Sequence, residues 1–194
     1  MTPPSAERYS LSCLRGVCPR VAGMDIRPAT PDDLETFRDI EIRAGEIFAD
    51  YGMPEVAAYE PWPVEVLARH QAAGHAWAAV DEADQPVGYL IAEPLDGCLH
   101  IEQVSVGPDY ARQGIGRALL ETAARAAQAE GFPALTLTTF VEVPWNGPYY
   151  LKSGYRFLAD DEVTPGLRVV REREAALGLD RWPRTCMRRD LPQS

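Results

Sequence analysis

No stretch of this sequence is apolar for long enough to cross a membrane, since none approaches the ~18 residues that a spanning helix requires. Hydrophobic residues still make up 46% of the 194 residues and charged residues 25%, which is typical of a globular domain. A chain of this length can bury a sizeable core. We therefore expect one domain and no membrane partner.

Cysteine is also scarce. Cys13, Cys18, Cys98 and Cys186 are scattered along the chain, so a disulfide framework is not expected. Cys13 and Cys18 have no second pair of ligands, which argues against a zinc site. This usage favours a reducing compartment, and we expect a cytoplasmic protein without a metal.

Basic residues are in the minority. The chain has 19 Lys and Arg against 29 Asp and Glu, which gives a formal net charge of −10. Nucleic-acid binding depends on neutralising phosphates, so a nucleic-acid partner is not expected. An acidic protein is compatible with a cationic or amine ligand.

Two common nucleotide-binding motifs are missing around Gly114-Ile115-Gly116. The dinucleotide fingerprint requires a third glycine where Leu119 stands. A P-loop requires G-K-[ST] at the start of the helix, but Arg117 follows Gly116. Taken alone, these glycines indicate only a turn between a strand and a helix.

That turn is nevertheless the most informative part of the chain. Residues 101–106 are predicted to form a strand, residues 107–113 a polar turn, and residues 114–130 a helix. The first N–H groups of a helix have no partner inside it, and the helix dipole favours negative charge there. Glycine at this point lets an anion approach the backbone closely, so the turn is a candidate phosphate site.

The strand before the turn changes its alternation phase. Leu99 and Ile101 share one phase, whereas Val104 and Val106 share the other, and the slip falls at Glu102-Gln103. One extra residue in a strand produces this pattern, so we predict a β-bulge there. A bulge leaves some backbone groups without a ladder partner and therefore available to a ligand.

The rest of the chain supplies further strands and helices around this unit. Strands are predicted at residues 26–28, 75–80, 86–93, 99–106, 134–140, 155–159 and 183–189. Other helices are expected from Thr30-Pro31 onward, at residues 64–73, and between Asn146 and Gly154, whereas residues 168–179 are only a charged stretch. The first helix is expected to turn apolar residues to the core: Leu34, Phe37, Ile40, Ile42 and Ile47. This order predicts an α+β domain with one mixed sheet, one βαβ unit and a final pair of strands.

Residues 1–23 do not fit this pattern. They are rich in Pro, Ser and Arg and lack a continuous apolar segment. We expect them to be a disordered or non-native N-terminal extension, with the domain spanning residues 24–194.

Two motifs resemble those of one enzyme family. The segment V-S-V-G-P-D-Y-A-R-Q-G-I-G-R-A-L-L, residues 104–120, resembles the acyl-CoA-binding motif of the GNAT N-acetyltransferases, in a bacterial-type form. The run N-G-P-Y-Y-L-K-S-G-Y-R-F, residues 146–157, resembles the last motif of that family. One difference is Ala111, which stands where the family usually has Gln or Arg.

The resemblance implies a single GNAT-like α+β domain, with a mixed, mostly antiparallel sheet, splayed central strands and flanking helices. It also implies acetyl-CoA as co-substrate. The backbone of Val104 and Val106 would pair with the pantetheine arm, as an added strand would. The other expected cofactor contacts come from the turn and from the last motif: Arg112, Gln113, Gly114, Ile115, Gly116, Arg117 and Asn146. Asn146 is also expected to cap the short helix.

Acetyl transfer to an amine requires two proton transfers. Glu102 stands where the family often has an acid and is the candidate general base, with His100 and His75 as alternates and an exposed strand residue as the bland alternative. Tyr149 and Tyr150 compete as general acid. The family motif has its tyrosine four residues before a glycine, and counting back from Gly154 selects Tyr150.

We therefore expect an enzyme that transfers an acetyl group to a primary amine of a small molecule or a peptide N-terminus. The alternative is a non-catalytic module of the same fold that senses acyl-CoA. A monomer or a homodimer is expected. The early helices and loops, which would line the acceptor pocket, carry no pattern that identifies the acceptor.

Overall fold

The computed structural model describes residues 23–192. Its seven strands are β1 (Asp25–Pro28), β2 (Ala76–Val80), β3 (Pro86–Leu95), β4 (Cys98–Val106), β5 (Ala134–Phe140), β6 (Arg156–Phe157) and β7 (Arg184–Asp190). Its helices are α1 (Leu34–Gly45), α2 (Ile47–Asp50), α3 (Pro54–Ala57), α4 (Val64–Ala72), α5 (Ile115–Ala129), α6 (Gly147–Lys152) and α7 (Pro165–Ala176). Within the described residues no helix is long and apolar enough to span a membrane.

The strands form one mixed sheet in the order β1-β2-β3-β4-β5-β7-β6. All neighbours are antiparallel except β4 and β5, which are parallel and are connected through α5. The β4–β5 pairing covers only Leu99–Leu135, His100–Thr136 and Ile101–Leu137, although both strands continue beyond it. The α+β fold with splayed central strands is therefore confirmed.

The predicted bulge lies in β4 at the point where this pairing ends. On the β3 side, Ile91 is opposite Gln103 but Ala92 is opposite Ile101, so Glu102 has no partner on β3. The phase slip in the sequence therefore marked the bulged residue correctly.

Two apolar cores cover the two faces of the sheet. On one face α5 packs against alternate residues of β2 to β5, with Leu119, Leu120 and Ala123 fully buried. On the other face α1 and α4 cover Tyr89 and Ile91, and the Phe37 ring stacks on Tyr89 at 4.5 Å. A smaller cluster around Met53, Phe140 and Val143 closes the end of the sheet where β4 and β5 separate.

The first helical region differs from the prediction. Leu34, Phe37 and Ile40 are buried as expected, but the exposed fractions of Ile42 and Ile47 are 46% and 48%. Ile42 lies within α1 but off its buried face, because at about 100° per residue it is on the side opposite Ile40. Ile47 lies in α2, beyond the end of α1 at Gly45.

The charged stretch at residues 168–179 was also interpreted incorrectly, because most of it belongs to α7. This helix begins after Thr164, whose hydroxyl accepts a hydrogen bond from the N–H of Leu167, and Pro165 is its first residue. The same Thr-Pro signal predicted the first helix at Thr30-Pro31, and Thr164-Pro165 marks the start of α7 in the same way. Strand β6 is also shorter than the predicted residues 155–159.

The predicted N-terminal extension lies, apart from Gly23, outside the described residues, so this part of the domain assignment stays a prediction. Within the described residues, β1 pairs with β2 from Asp25 onward.

The start of α6 is held tightly against the end of β5. A Cβ atom on Gly147 would lie 2.5 Å from the carbonyl oxygen of Val141 and 3.0 Å from that of Phe140. Both atoms belong to the backbone and cannot move cheaply. We expect Gly147→Ala to lower the free energy of unfolding by about 1–3 kcal/mol, as overpacking does, and to slow any reaction that depends on α6.

The matched control is Gly45→Ala, because the nearest atom to a Cβ there is 4.0 Å away and alanine favours a helix. Urea denaturation of both variants measures the difference. Equal midpoints for the two variants would contradict the close docking of α6.

Candidate active site

The turn before α5 presents a row of unsatisfied backbone donors. Within the described residues, the N–H groups of residues 112–117 have no acceptor, and Ala118 is the first to donate into the helix, to Gly114. Gly114 has a φ of +85° and Arg112 a φ of +60°, which turn the chain sharply at this point. The arrangement is therefore suited to an anion such as a pyrophosphate.

The side chains of this turn differ in their surroundings. Arg112 and Arg117 are exposed, Gln113 donates to the carbonyl oxygen of Asp109 at 3.3 Å, and Ile115 is buried in the core. Ile115 can therefore contact a ligand only through its backbone N–H.

Gly116 keeps the space over these donors open. A Cβ atom there would lie 3.1 Å from the Tyr149 hydroxyl and 3.8 Å from a methyl group of Val106. The tyrosine, the strand end and the turn therefore meet above the same residue, which forms a cradle that any side chain would begin to fill.

The outer part of β4 offers a free strand edge. Val104 pairs with Leu90 and Val106 with Gly88 on the β3 side, whereas pairing with β5 stops at Ile101. The other edge of residues 103–106 therefore faces the gap between the splayed strands. An extended ligand with amide groups can add to such an edge as a strand does. The side chains of Val104 and Val106 pack against the core, as expected.

Glu102 lies at the bulge and is buried, with only 5% of its side chain exposed. Its Oε2 accepts a hydrogen bond from Nη2 of Arg173 at 3.1 Å, Oε1 accepts none from a nitrogen or hydroxyl donor of the described residues, and the Glu93 carboxyl is close enough to share a proton with Glu102. Burial raises the pKa of the Glu102 carboxyl to about 7; Arg173 opposes this shift and the neighbouring Glu93 carboxyl adds to it. The alternative that Glu102 is an ordinary exposed strand residue is therefore wrong.

The two alternate bases are less suitable. His100 is 1% exposed, and burial lowers its pKa to about 4, so it is neutral near pH 7. Its Nδ1 lies 2.9 Å from the Thr136 hydroxyl, and its Nε2 is 3.9 Å from Glu102, too far for a hydrogen bond. His75 lies at the other end of α5, where it pairs with Glu130 at 2.9 Å.

Three separate segments meet beside Glu102. Arg173 from α7 reaches the bulge, and its guanidinium carbon lies 5.8 Å from the ring centre of Trp62. The backbone N–H of Trp62 donates to Glu41 of α1 at 3.2 Å, and the Tyr89 hydroxyl donates to the same oxygen at 2.7 Å. These contacts fix the loop before α4 against the sheet and place Trp62 beside the arginine that binds Glu102.

Neither Arg173 nor Glu93 was predicted from the sequence. The helix that carries Arg173 is anchored next to it by Glu174, which pairs with Arg184 at 2.6 Å and also binds Arg171 and the Thr138 hydroxyl. The Thr164-Pro165 cap could have revealed this helix, but its contact with Glu102 spans 71 positions and leaves no local signal.

Asn146 occupies the N-cap position of α6, but the predicted cap is wrong because its side chain caps no N–H group. Its Oδ1 accepts a hydrogen bond from the Thr139 hydroxyl at 2.9 Å instead. Asn146 thus connects α6 to β5, and its role as a cofactor contact stays a prediction.

The two candidate tyrosines have different neighbours. The Tyr149 hydroxyl lies over Gly116 in the turn. The Tyr150 ring packs edge-on against Tyr149 and Tyr155, at 5.5 and 5.6 Å, and its hydroxyl has no hydrogen bond within the described residues. Burial raises the pKa of the Tyr150 phenol well above its usual range, so the phenol stays protonated at neutral pH.

With this geometry established, comparisons with known proteins identify the family. The sequence model of the acetyltransferase (GNAT) family matches residues 34–155, and the chain belongs to that family. Among curated proteins, the chain is 33% identical to the peptidyl-lysine N-acetyltransferase YjaB of Escherichia coli over 87 residues. That match covers 45% of this chain, and the chain spans about half the length, 53%, of that relative.

Solved structures agree on the fold. The ribosomal-protein-S18-alanine N-acetyltransferase of Escherichia coli superimposes with a TM-score of 0.62 at 19% identity, over 88% of this chain and 96% of the other. The PaiA N-acetyltransferase of Thermoplasma acidophilum, solved with coenzyme A, gives a TM-score of 0.61 at 15% identity, over 87% and 99%. At these identities the likeness shows the fold alone.

A negative charge introduced at Gly116 tests whether the turn before α5 binds an anion. Gly116 is preferable to Gly114 for this purpose, because its backbone does not require glycine. We expect Gly116→Asp to weaken coenzyme A binding at least about tenfold, since the carboxylate would face the phosphates across the unsatisfied N–H groups. Ala129→Asp, exposed at the other end of α5, is the control. Calorimetry that gives the same affinity for both variants would exclude this turn as the pyrophosphate site.

The shifted pKa of Glu102 predicts a defined pH window. The carboxylate is ionised above about pH 7, whereas an alkylammonium acceptor loses its proton near pH ~10.4. Between these two pH values Glu102 is ionised and can accept a proton, while most of the acceptor is still an ammonium that has to lose one. We expect Glu102→Gln to lower kcat/KM by ~10²-fold or more in this window and by less at either side. An exposed control, Glu65→Gln, should leave the pH–rate profile unchanged.

The raised pKa of Glu102 also predicts how the stability of the folded protein changes with pH. Folding raises the pKa of this carboxyl from about 4.5 to about 7, so ionisation opposes folding and stability falls as the pH rises through that range. Glu102→Gln should therefore melt no lower than the wild type at pH 8. A variant that is both inactive and clearly less stable at pH 8 would indicate a structural role for Glu102.

Proposed function

We propose that this protein transfers an acetyl group from acetyl-CoA to a primary amine. The observation that carries the proposal is the position of Glu102: a buried carboxyl with a raised pKa, flanked by Arg173 and Glu93, stands where β4 leaves β5. The free edge of residues 103–106 and the unsatisfied N–H groups of residues 112–117 lie along the same gap. A base, a strand-like ligand site and an anion site are thus contiguous.

These groups have complementary roles in the proposed reaction. Bound acetyl-CoA supplies the activated acetyl group. Residues 112–117 hold its pyrophosphate through N–H groups, and the backbone of Val104 and Val106 aligns its pantetheine arm. Asn146 is a further contact: Oδ1 accepts from Thr139, and the side-chain NH2 group, which has no acceptor among the described residues, can donate to the cofactor.

Two residues manage the protons. Glu102 takes a proton from the acceptor ammonium, which frees the lone pair that forms the new C–N bond. Tyr150 donates a proton to the sulfur as the C–S bond breaks. After the attack the nitrogen still carries one extra proton, which passes to the Tyr150 phenolate, and solvent removes the first proton from Glu102, so both residues return to their starting state. Metal ligands are not part of this scheme, and the described residues contain no cluster of three that could hold one.

The acceptor is a primary amine of a small molecule or a peptide. Family membership and the names of the similar proteins, which refer to peptidyl-lysine and ribosomal-protein alanine, support an amine acceptor. The scattered cysteines and the use of acetyl-CoA favour the bacterial cytoplasm as the place of action. The unit that acts there is a monomer or a homodimer.

A non-catalytic acyl-CoA sensor of the same fold is the alternative. Such a module would need the turn and the strand edge but not Glu102. Keeping an ionisable group buried at the bulge opposes folding above its raised pKa, and binding alone gives no compensating advantage. The carboxylate therefore favours an enzyme over a sensor.

Release of the coenzyme A thiol tests the proposal, with acetyl-CoA and a panel of polyamines, aminoglycosides, amino acids and peptides. We expect Tyr150→Phe to lower kcat ~10²–10⁴-fold with little change in stability, because only the proton donor is removed. Tyr149→Phe, the matched control on the same helix, should leave kcat nearly unchanged.

The opposite result for the two tyrosines would assign the general acid to Tyr149. Binding of acetyl-CoA without thiol release for any amine would favour the sensor. Unchanged kcat in both variants would mean that the thiolate leaves without help from either phenol.

A further inference from the structure

The guanidinium of Arg173 is only partly used by the protein. It donates one hydrogen bond, from Nη2 to Glu102, and lies over Trp62. Half of its side chain is exposed. Its Nε and Nη1 have no acceptor among the described residues, although a guanidinium carries five N–H donors in a planar fork.

Two other arginines of this chain show that such a fork can bind two carboxylates at once, although most of its ion-paired arginines bind one. Arg27 binds two carboxylates, Asp33 at 2.7 Å and Asp84 at 2.8 Å. Arg171, on the same helix as Arg173, also binds two, Glu174 and Asp180. Arg173 has one carboxylate partner, and its half-exposed guanidinium lies beside Glu102 with donors to spare.

The charges around this point are arranged as two opposite poles. Glu102 and the nearby Glu93 form a negative pole, where an ammonium group would be attracted before it loses its proton. Arg173 forms a positive pole in contact with Glu102. A ligand with both charges could place its amine at Glu102 and its anion on the open edge of Arg173.

We propose that the acceptor is an amine that also carries a carboxylate, such as a free amino acid, and that Arg173 binds this carboxylate. The inference rests on the proposed function, because it names the substrate class of the same site. Arg173 is then a residue that determines specificity. A carboxylate fits it better than other anions of similar size, because two parallel N–H···O bonds match the planar fork.

The ligand would also affect the base. A second carboxylate on Arg173 divides its positive charge between two partners, which weakens its hold on Glu102. The Glu102 carboxylate then becomes more available to the amine. An acceptor without the carboxylate would meet a base that is still paired.

Matched acceptors test this idea directly. The pairs are glycine and ethylamine, β-alanine and propylamine, and 4-aminobutyrate and butylamine, in which a methyl group replaces the carboxylate. The measurement is the ratio of kcat/KM within each pair, for the wild type and three variants: Arg173→Gln, Arg173→Lys and Arg168→Gln. Arg168→Gln is the control, because Arg168 lies on the same helix but donates to Asp160.

We expect the wild type to favour the carboxylate member of at least one pair by about tenfold, mainly through KM, as for a charged hydrogen bond. Arg173→Gln should bring this ratio close to one, Arg173→Lys should give an intermediate ratio, and Arg168→Gln should preserve it. The effect that these substitutions have on Glu102 before an acceptor binds is common to both members and cancels in the ratio, whereas loss of the carboxylate's own effect on Glu102 lowers the ratio further. Added salt should reduce the preference, since the site is half-exposed.

An acidic peptide could supply the same carboxylate. Peptides beginning Ser-Glu and Ser-Gln, with amidated ends, form a fourth pair. A preference confined to this pair would assign the carboxylate to a peptide side chain, and one confined to the small molecules would assign it to a free amino acid. Either result supports Arg173 as the carboxylate site.

Two outcomes would overturn the inference: a wild type that has no preference in any pair, or a preference that survives Arg173→Gln. Failure of the proposed function would look different, because no amine would then release thiol. In that case the affinity of each amine for the complex of the protein with coenzyme A would be measured by calorimetry, in place of kcat/KM. Equal affinity within every pair, or a difference that Arg173→Gln leaves intact, would also reject the inference.

Discussion

One extra residue in β4 determines most of what is distinctive in this structure. Because Glu102 has no partner on β3, the ladder shifts between Ile91 and Ala92. Pairing with β5 ends one residue earlier, at Ile101, so the bulge and the separation of the central strands coincide. The unpaired edge, the gap and the carboxylate that faces it are therefore consequences of the same local irregularity.

The polar groups around the bulge are held by structure that the sheet alone does not supply. Buried Glu102 and neutral His100 lie on the face of the sheet that also carries Thr136 and Thr138. Helix α7 covers this polar region and is attached through Glu174, which binds Thr138 and Arg184. A buried carboxylate opposes folding unless it is paired, and Glu174 is fully paired whereas Glu102 is not. This difference separates a supporting carboxylate from one that is free to react.

Sequence patterns were reliable where the determining contacts are local. The limits of β5, the start of α5 and the bulge followed from alternation, glycine and capping signals within a few residues of each position. They failed for Ile42, which lies on the exposed face of α1, and for Ile47, which lies in the short α2 beyond the end of that helix. They also failed for Asn146, because its side chain accepts a hydrogen bond from Thr139 on β5 and caps none of the nearby helix N–H groups.

The sequence by itself determined the βαβ unit, the phase slip at Glu102 and the glycine turn, because these depend on backbone geometry and on neighbours close in the chain. Only the tertiary structure decided that Glu102 is buried and that Arg173, 71 positions away, is its partner. It also decided that Trp62 flanks this pair and that His75 lies far from it. The physical reason is that the pKa of a carboxyl depends on burial and on charges brought in by other elements, and sequence spacing does not encode how those elements pack.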